Sequence, residues 1–159
     1  MPTEQRYFYD APLGRLYLGF SHRQCCALDY EPAQPELFSS VLPAGDVKNY
    51  LDAYFAGQKP HMTASFDIPG TQFQQSVYQL MLQIPYGQTL SYGAVARQLG
   101  SAARAVGQAC KRNPMPILIP CHRIVGQRDI GGYEGSTEGP RLDRKKWLLN
   151  HESQVELAV

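Results

Sequence analysis

The segment Ile117-Leu118-Ile119-Pro120-Cys121-His122-Arg123-Ile124-Val125 puts a thiol, an imidazole and a guanidinium on consecutive residues at the end of an apolar run. Such a run encloses and orients Cys121. A thiol reacts as its thiolate, and a neighbouring His122 and Arg123 favour that form. The chemistry indicated is nucleophilic attack by sulfur. On extended backbone adjacent side chains point to opposite faces, so contact between Cys121 and His122 needs a turn or a bridging water. A buried cysteine acting only as a small hydrophobe is the competing interpretation. The tetrad alone leaves both open.

A second segment, Ser101-Ala102-Ala103-Arg104-Ala105-Val106-Gly107-Gln108-Ala109-Cys110-Lys111, reads as a short helix made almost wholly of small residues. Val106 and Cys110, four apart, are expected to face the core. Ala103, Ala105 and Gly107 leave the remainder slim, with Arg104 the one long side chain near its start. A slim helix can approach a duplex backbone closely, and its N-terminal amides suit a phosphate. Tight helix–helix packing would use the same residues. A zinc site built from Cys25, Cys26, His22 and His61 is disfavoured, because adjacent cysteines do not match the spacing of structural zinc. Cys26 also fits the inward face of a strand.

These residues need elements to hold them. Leu16, Leu18 and Phe20 alternate with more exposed positions, so 15–20 reads as a half-buried strand, preceded by a turn at 11–14. With a second run over 26–30 it suggests an antiparallel meander. A helix follows over 46–56, with Asp46 as its cap and Gly57 at its end. The Pro- and Gly-bearing stretch 57–70 marks a boundary, giving domains 1–67 and 68–159. Beyond it, Thr71 caps a helix with Phe73, Val77, Leu80, Met81 and Ile84 on one stripe. Ser91 caps a short helix ended by Gly100, and Ser101 starts the next, which halts at Asn113-Pro114. Two short helices joined through a glycine have the pattern of a helix-turn-helix. Three prolines exclude a regular helix over 114–125. A last helix is expected over 142–152.

The 159 residues are 43% apolar and 18% charged, enough for a buried core in one domain or two small ones. No apolar run approaches the roughly 20 residues of a membrane helix, and no signal peptide is evident. Four irregularly spaced cysteines do not form a disulfide framework, so a reducing compartment is expected. The net charge of +1 conceals a polarity. Six basic residues (Arg97, Arg104, Lys111, Arg112, Arg123, Arg128) and no acid lie within 68–128, while both flanks are net acidic. A polyanion is attracted to that middle, which makes it a candidate nucleic-acid footprint.

Ile-Pro-Cys-His-Arg, the upstream Ala-Ala-Arg-Ala-Val-Gly and Asn-Pro, and the downstream Gly-Gly-Tyr and Trp-Leu-Leu-Asn-His-Glu together resemble the O6-alkylguanine-DNA alkyltransferases, the methylated-DNA–protein-cysteine methyltransferases. The match runs densely from Phe73 to Glu152. Before it only Asp10-Ala11-Pro12-Leu13-Gly14 agrees. The resemblance implies a small ribonuclease-H-like α/β domain followed by a mostly helical domain with the helix-turn-helix. It implies DNA repair by direct reversal: the damaged guanine is flipped out through the minor groove and its O6-alkyl group moves irreversibly to cysteine. Carried over, Cys121 is the acceptor, His122 takes the thiol proton through a water, and Glu152 orients His122. Tyr92 protonates the leaving guanine, and Asn113 braces the turn before Cys121. Arg104 fills the gap in the base stack, with Ser91, Ala103, Ala105, Gly107 and Lys111 along the DNA. Tyr133, Ile124 and Glu134 edge the pocket. The link between the two short helices is shorter than the family's, and the segment 134–142 is longer.

In-line transfer of an alkyl carbon needs a soft nucleophile, an acid and a snug pocket, with no metal or organic cofactor. A guanine atom inside a duplex is unreachable without flipping. The thioether formed has no good leaving group, so each molecule acts once. The partner expected is double-stranded DNA containing O6-alkylguanine, met by a monomer, with cooperative binding along the DNA left open. No membrane and no obligate protein partner are expected, and the location is the cytoplasm, or the nucleus in a eukaryote. The alternatives are a lesion-binding sensor of the alkyltransferase-like type, which lacks the acceptor cysteine, a cysteine hydrolase, and a plain helix-turn-helix regulator. A hydrolase needs oxyanion donors that the sequence does not supply, and a regulator leaves Cys121, His122 and Glu152 unexplained.

Overall fold

The computed structural model describes residues 5–62, 66, 68–133, 135 and 137–157; Glu134 lies outside them. The chain is a mixed α/β protein that divides into two compact units, Met1–Pro69 and Gly70–Val159.

The first unit holds a four-stranded sheet in the order β3-β2-β1-β4. Strands β1 (Gln5–Ala11), β2 (Gly14–Ser21) and β3 (Gln24–Asp29) form the antiparallel meander, and β4 (Ser40–Val41) pairs parallel with β1. The turn between β2 and β3 puts His22 and Arg23 at φ of 51° and 67°, the left-handed pair that suits a tight hairpin. Leu16 and Leu18 are fully buried, but Phe20 is only half-buried. The register with β3 shifts between Gly19 and Phe20, and this irregularity carries Gly19 and Ser21 inward in its place. Helix α1 (Asp46–Phe55) buries Val47, Tyr50, Leu51 and Tyr54. Gly45, and not Asp46, is its N-cap; the Asp46 carboxylate sits inside the first turn, where it complements the helix dipole.

In the second unit, α2 (Gln72–Leu82) starts with a full capping box between Thr71 and Gln74. Val77, Met81 and Ile84 are buried as the stripe requires, whereas Phe73 and Leu80 are half-buried. Tyr78 joins the buried face because its hydroxyl donates to the Ala109 carbonyl at 3.0 Å. Helix α3 (Tyr92–Leu99) begins where Ser91 Oγ accepts from the Ala94 amide, and ends at Gly100 with φ of 62°. Helix α4 (Ala103–Lys111) does not start at Ser101, since the Ser101 amide donates to the Ala96 carbonyl and so closes α3. Ala102 caps α4 without a side-chain hydrogen bond. Its inward face is Val106 and Ala109, with Cys110 half-buried one position round. Strands β5 (Leu90–Ser91) and β6 (Ile124–Val125) pair in parallel. Helix α5 (Pro140–Leu157) opens two residues before the expected start and runs past 152. Among the described residues no helix is long and apolar enough to cross a membrane.

Candidate functional site

Between α4 and Cys121 the backbone is bent rather than extended. Ile117 has φ of 75° and is fully buried, a strained conformation for a β-branched residue. Asn113 spans this turn: its Nδ2 donates to the Ile119 carbonyl at 2.8 Å, and its Oδ1 accepts from the Met115 amide at 3.0 Å. Met115, Leu118 and Ile119 are buried around it. Burial and two hydrogen bonds hold the strain in place.

Cys121, His122 and Arg123 then form a single 3-10 turn, which replaces the extended backbone expected there. Successive side chains on such a turn fan out by about 120°. The fan sends His122 and Arg123 to one carboxylate and leaves Cys121 toward a cavity. His122 Nε2 lies 2.5 Å from Glu152 Oε2, and Arg123 Nε donates to Glu152 Oε1 at 2.9 Å. The Gly87 amide also donates to Oε1, at 2.9 Å, and Arg123 Nη1 donates to the Ile84 carbonyl at 2.8 Å. Arg123 is therefore committed to Glu152 and the backbone, which corrects its expected place beside the thiol.

All three charged or basic groups are buried. Burial works against the Glu152 carboxylate, but the donors His122 and Arg123 outweigh it and hold its pKa well below the usual range. Burial is the larger influence on His122 and pushes its pKa down against the pull of Glu152. A neutral imidazole donating from Nε2 to Glu152 has its lone pair on Nδ1. That nitrogen is buried and has no hydrogen-bond partner among the described residues. The pair is built as a base.

Cys121 lines a cavity of about 280 Å³ with Tyr92, Cys110, Lys111, Gly132 and Tyr133. Tyr92 donates to the Gly132 carbonyl at 3.3 Å, and burial raises its pKa, so the phenol keeps its proton. Gly131 packs so closely on the Tyr92 ring that a Cβ there would lie 2.7 Å from it, at φ of 70°. Tyr133 is buried in the wall. Ile124 does not line the cavity: its side chain is fully buried in β6, and its carbonyl faces Lys145.

The DNA-facing candidates lie on α3 and α4. Ala103, Arg104 and Lys111 are exposed, and Ala105 and Gly107 half-buried. A Cβ at Gly107 would meet nothing within 4 Å, so packing inside the protein does not require glycine there. Ser91 Oγ serves the cap of α3. Of the six basic residues in 68–128, Arg123 is buried and the other five are exposed. Sequence reasoning missed Lys145, fully buried on α5, and Cys110 in the cavity wall. The spacing of Lys145, Leu148 and Glu152, three and then four residues, is the signal that puts all three on one helix face.

Residues 72–154 match the family model described as 6-O-methylguanine DNA methyltransferase, DNA binding domain. The chain is 40% identical over 156 residues to the methylated-DNA–protein-cysteine methyltransferase of Mycobacterium leprae, covering 93% of this chain and 92% of that one. The crystal structure of Mycobacterium tuberculosis O6-methylguanine methyltransferase superposes with a TM-score of 0.79 at 34% identity, over 94% and 93% of the two chains. The M. tuberculosis protein in complex with DNA gives 0.78 at 35% identity, over 94% and 93%.

Proposed function

Since the chain belongs to the methylated-DNA–protein-cysteine methyltransferases, we propose that it repairs O6-alkylguanine in duplex DNA by moving the alkyl group onto Cys121. The observation that carries this is the 3-10 turn, which aims the thiol into a cavity while backing it with the His122–Glu152 pair. His122 Nδ1 receives the thiol proton through a water. The Cys121 sulfur then attacks the alkyl carbon in line, an S–C bond forms, and the C–O6 bond breaks with its electron pair leaving on guanine. Tyr92, held in its protonated form at the cavity wall, donates the proton that neutralises the departing base. Glu152 stays ionised and fixes the His122 ring. The thioether is stable, so each molecule turns over once.

Flipping supplies the base to the cavity at a cost of a few kcal/mol. α3 and α4, joined through Gly100, are read as a helix-turn-helix that lies in the minor groove, with exposed Arg104 entering the stack. Lys111, Ala103, Ala105 and Gly107 follow the backbone. That a similar protein was solved in complex with DNA supports DNA as the partner. The mixed sheet of the first unit is read as ribonuclease-H-like, supported by its three antiparallel strands and parallel edge. The acting form is read as a monomer, in the cytoplasm or, in a eukaryote, in the nucleus. The sensor alternative is not favoured, because Cys121 is present and the relatives matched are named as transferases.

The test is to mix the protein with excess duplex bearing one O6-methylguanine and record the intact mass. A gain of one methyl in place of hydrogen, mapped to the Cys121 peptide and stopping at one per molecule, is expected. The Cys121→Ala variant is expected to keep binding DNA and lose transfer entirely; transfer that persists in it overturns the assignment.

A further inference from the structure

The free cysteines fall into two pairs. Cys25 and Cys26 lie on β3, where their thiols donate to the Ala27 and Gly19 carbonyls at 3.6 and 3.5 Å. Cys110, at the end of α4, and Cys121, on the 3-10 turn, line one cavity of about 280 Å³. A space of that size holds one small ligand, so a group seated against either sulfur is within reach of the other. Packing does not require a thiol at 110: α4 buries Val106 and Ala109, and Cys110 sits half-buried beside them. The two thiols also differ in readiness. The His122–Glu152 pair stands behind Cys121. Burial, and then the neighbouring Cys121, push the Cys110 pKa up, so Cys110 keeps its proton. Cys121 therefore reacts first, and Cys110 waits beside whatever Cys121 has received.

A methyl thioether offers Cys110 nothing to attack, because it has no leaving group. A two-carbon group that still ends in a halide does. We propose that Cys110 is a second acceptor: when Cys121 takes up a 2-haloethyl group, Cys110 captures it and closes a dithioether bridge across the cavity. This rests on Cys121 being the acceptor. The Cys121 thioether sulfur displaces the halide, which leaves with its electron pair, and a three-membered episulfonium ring forms. The Cys110 sulfur then attacks a ring carbon. A C–S bond to Cys110 forms, one ring C–S bond breaks with its electrons returning to the Cys121 sulfur, and the Cys110 proton passes to water. Nothing is oxidised or reduced, and the net loss is one hydrogen halide. A thiol is intrinsically strongly nucleophilic, and a positively charged strained ring does not require it to ionise first. Water and the bases of a bound duplex compete for the same ring. A neighbour held in the cavity wall acts at an effective concentration well above that of bulk water, so the bridge forms in preference to a hydroxyethyl group or a cross-link to DNA.

The experiment treats the folded wild type, Cys110→Ala and Cys121→Ala with 1,2-dibromoethane, which supplies the same two-carbon electrophile without DNA. Products are read by intact mass and by peptide mapping. Cleavage after Lys and Arg puts the two cysteines on separate peptides, 105–111 and 113–123, so a bridge joins what is otherwise apart. The wild type should gain C2H2, one ethylene in place of two hydrogens, with these two peptides joined. Bridged product should exceed hydroxyethyl product by at least roughly tenfold. Cys110→Ala should instead carry a hydroxyethyl group on Cys121, a gain of C2H4O, and Cys121→Ala should give no joined peptides. A wild type that yields hydroxyethyl Cys121 without joined peptides, or no joined peptides at all, overturns the proposal. If Cys110→Ala does not fold, the wild-type product decides. The wild type is also given duplex bearing one O6-methylguanine. Failure to take the methyl group would overturn the acceptor role of Cys121, whereas methyl transfer without a bridge would remove only the role of Cys110.

Discussion

At Glu152 one carboxylate accepts from three sources: the His122 ring, the Arg123 guanidinium and the Gly87 amide. Removing its charge takes away the carboxylate that buried Arg123 is paired with. Glu152→Gln should therefore cost about 3–5 kcal/mol of stability, read from the urea midpoint at neutral pH, as well as slowing transfer. The pH dependence follows from the same groups. The Glu152 pKa is lowered on folding, so its contribution is present above the ordinary carboxylate value and is lost on acidification. The His122 pKa is also lowered, so the unfolded chain takes up a proton that the folded one refuses as the pH drops below about 6.5. Both effects destabilise the acid side. Wild-type stability should fall steadily between about pH 7 and pH 4, and Glu152→Gln should flatten the lower part of that slope; an unchanged slope would count against the pairing. Cys121, His122 and Glu152 were legible because they stand in motifs. Lys145 was not, since one lysine in Arg144-Lys145-Lys146 looks like its solvated neighbours until the helix phase is known.

Elements in this chain are legible where a local hydrogen bond decides them. Thr71 and Gln74 cap α2 reciprocally, and Thr71→Ala should lower stability by about 1 kcal/mol, measured by thermal or urea unfolding, without altering transfer by the folded protein. Ser91 and Gly100 bound α3 for the same reason. The start of α4 was misread because Ser101 is used by the helix before it. The form of the acceptor turn was not legible, because Ile117, a residue that favours strands, is forced into a left-handed conformation by the packing and the Asn113 brace around it. Propensity loses there to tertiary structure. On α4, Arg104 is exposed near the N-terminus. Arg104→Ala should impair repair of duplex at least roughly tenfold, the effect of losing about 1.4 kcal/mol, a fraction of what flipping costs, while reaction with free O6-benzylguanine stays near wild type. Equal losses on both substrates would remove Arg104 from the flipping step.

Over the whole molecule the middle of the chain, 68–128, is set apart by having no acid, and five of the six basic residues there reach solvent. A duplex is therefore met through phosphate neutralisation, and affinity should fall steeply with salt. Lys111→Ala should weaken binding evenly across DNA sequences and reduce the salt slope by about one, measured by titration at several ionic strengths. The division of charge was legible from counting; that Arg123 serves the interior was not, because a count carries no burial. The Glu152 hub also has a consequence in time. The carboxylate lies 30 residues beyond the imidazole it orients. At roughly 5–20 residues per second of synthesis, a nascent chain carries its thiol for seconds before the carboxylate that equips the base has been made. During that interval the cysteine lacks its assembled partner and stands idle on the ribosome. A protein that can be spent only once is thereby armed last.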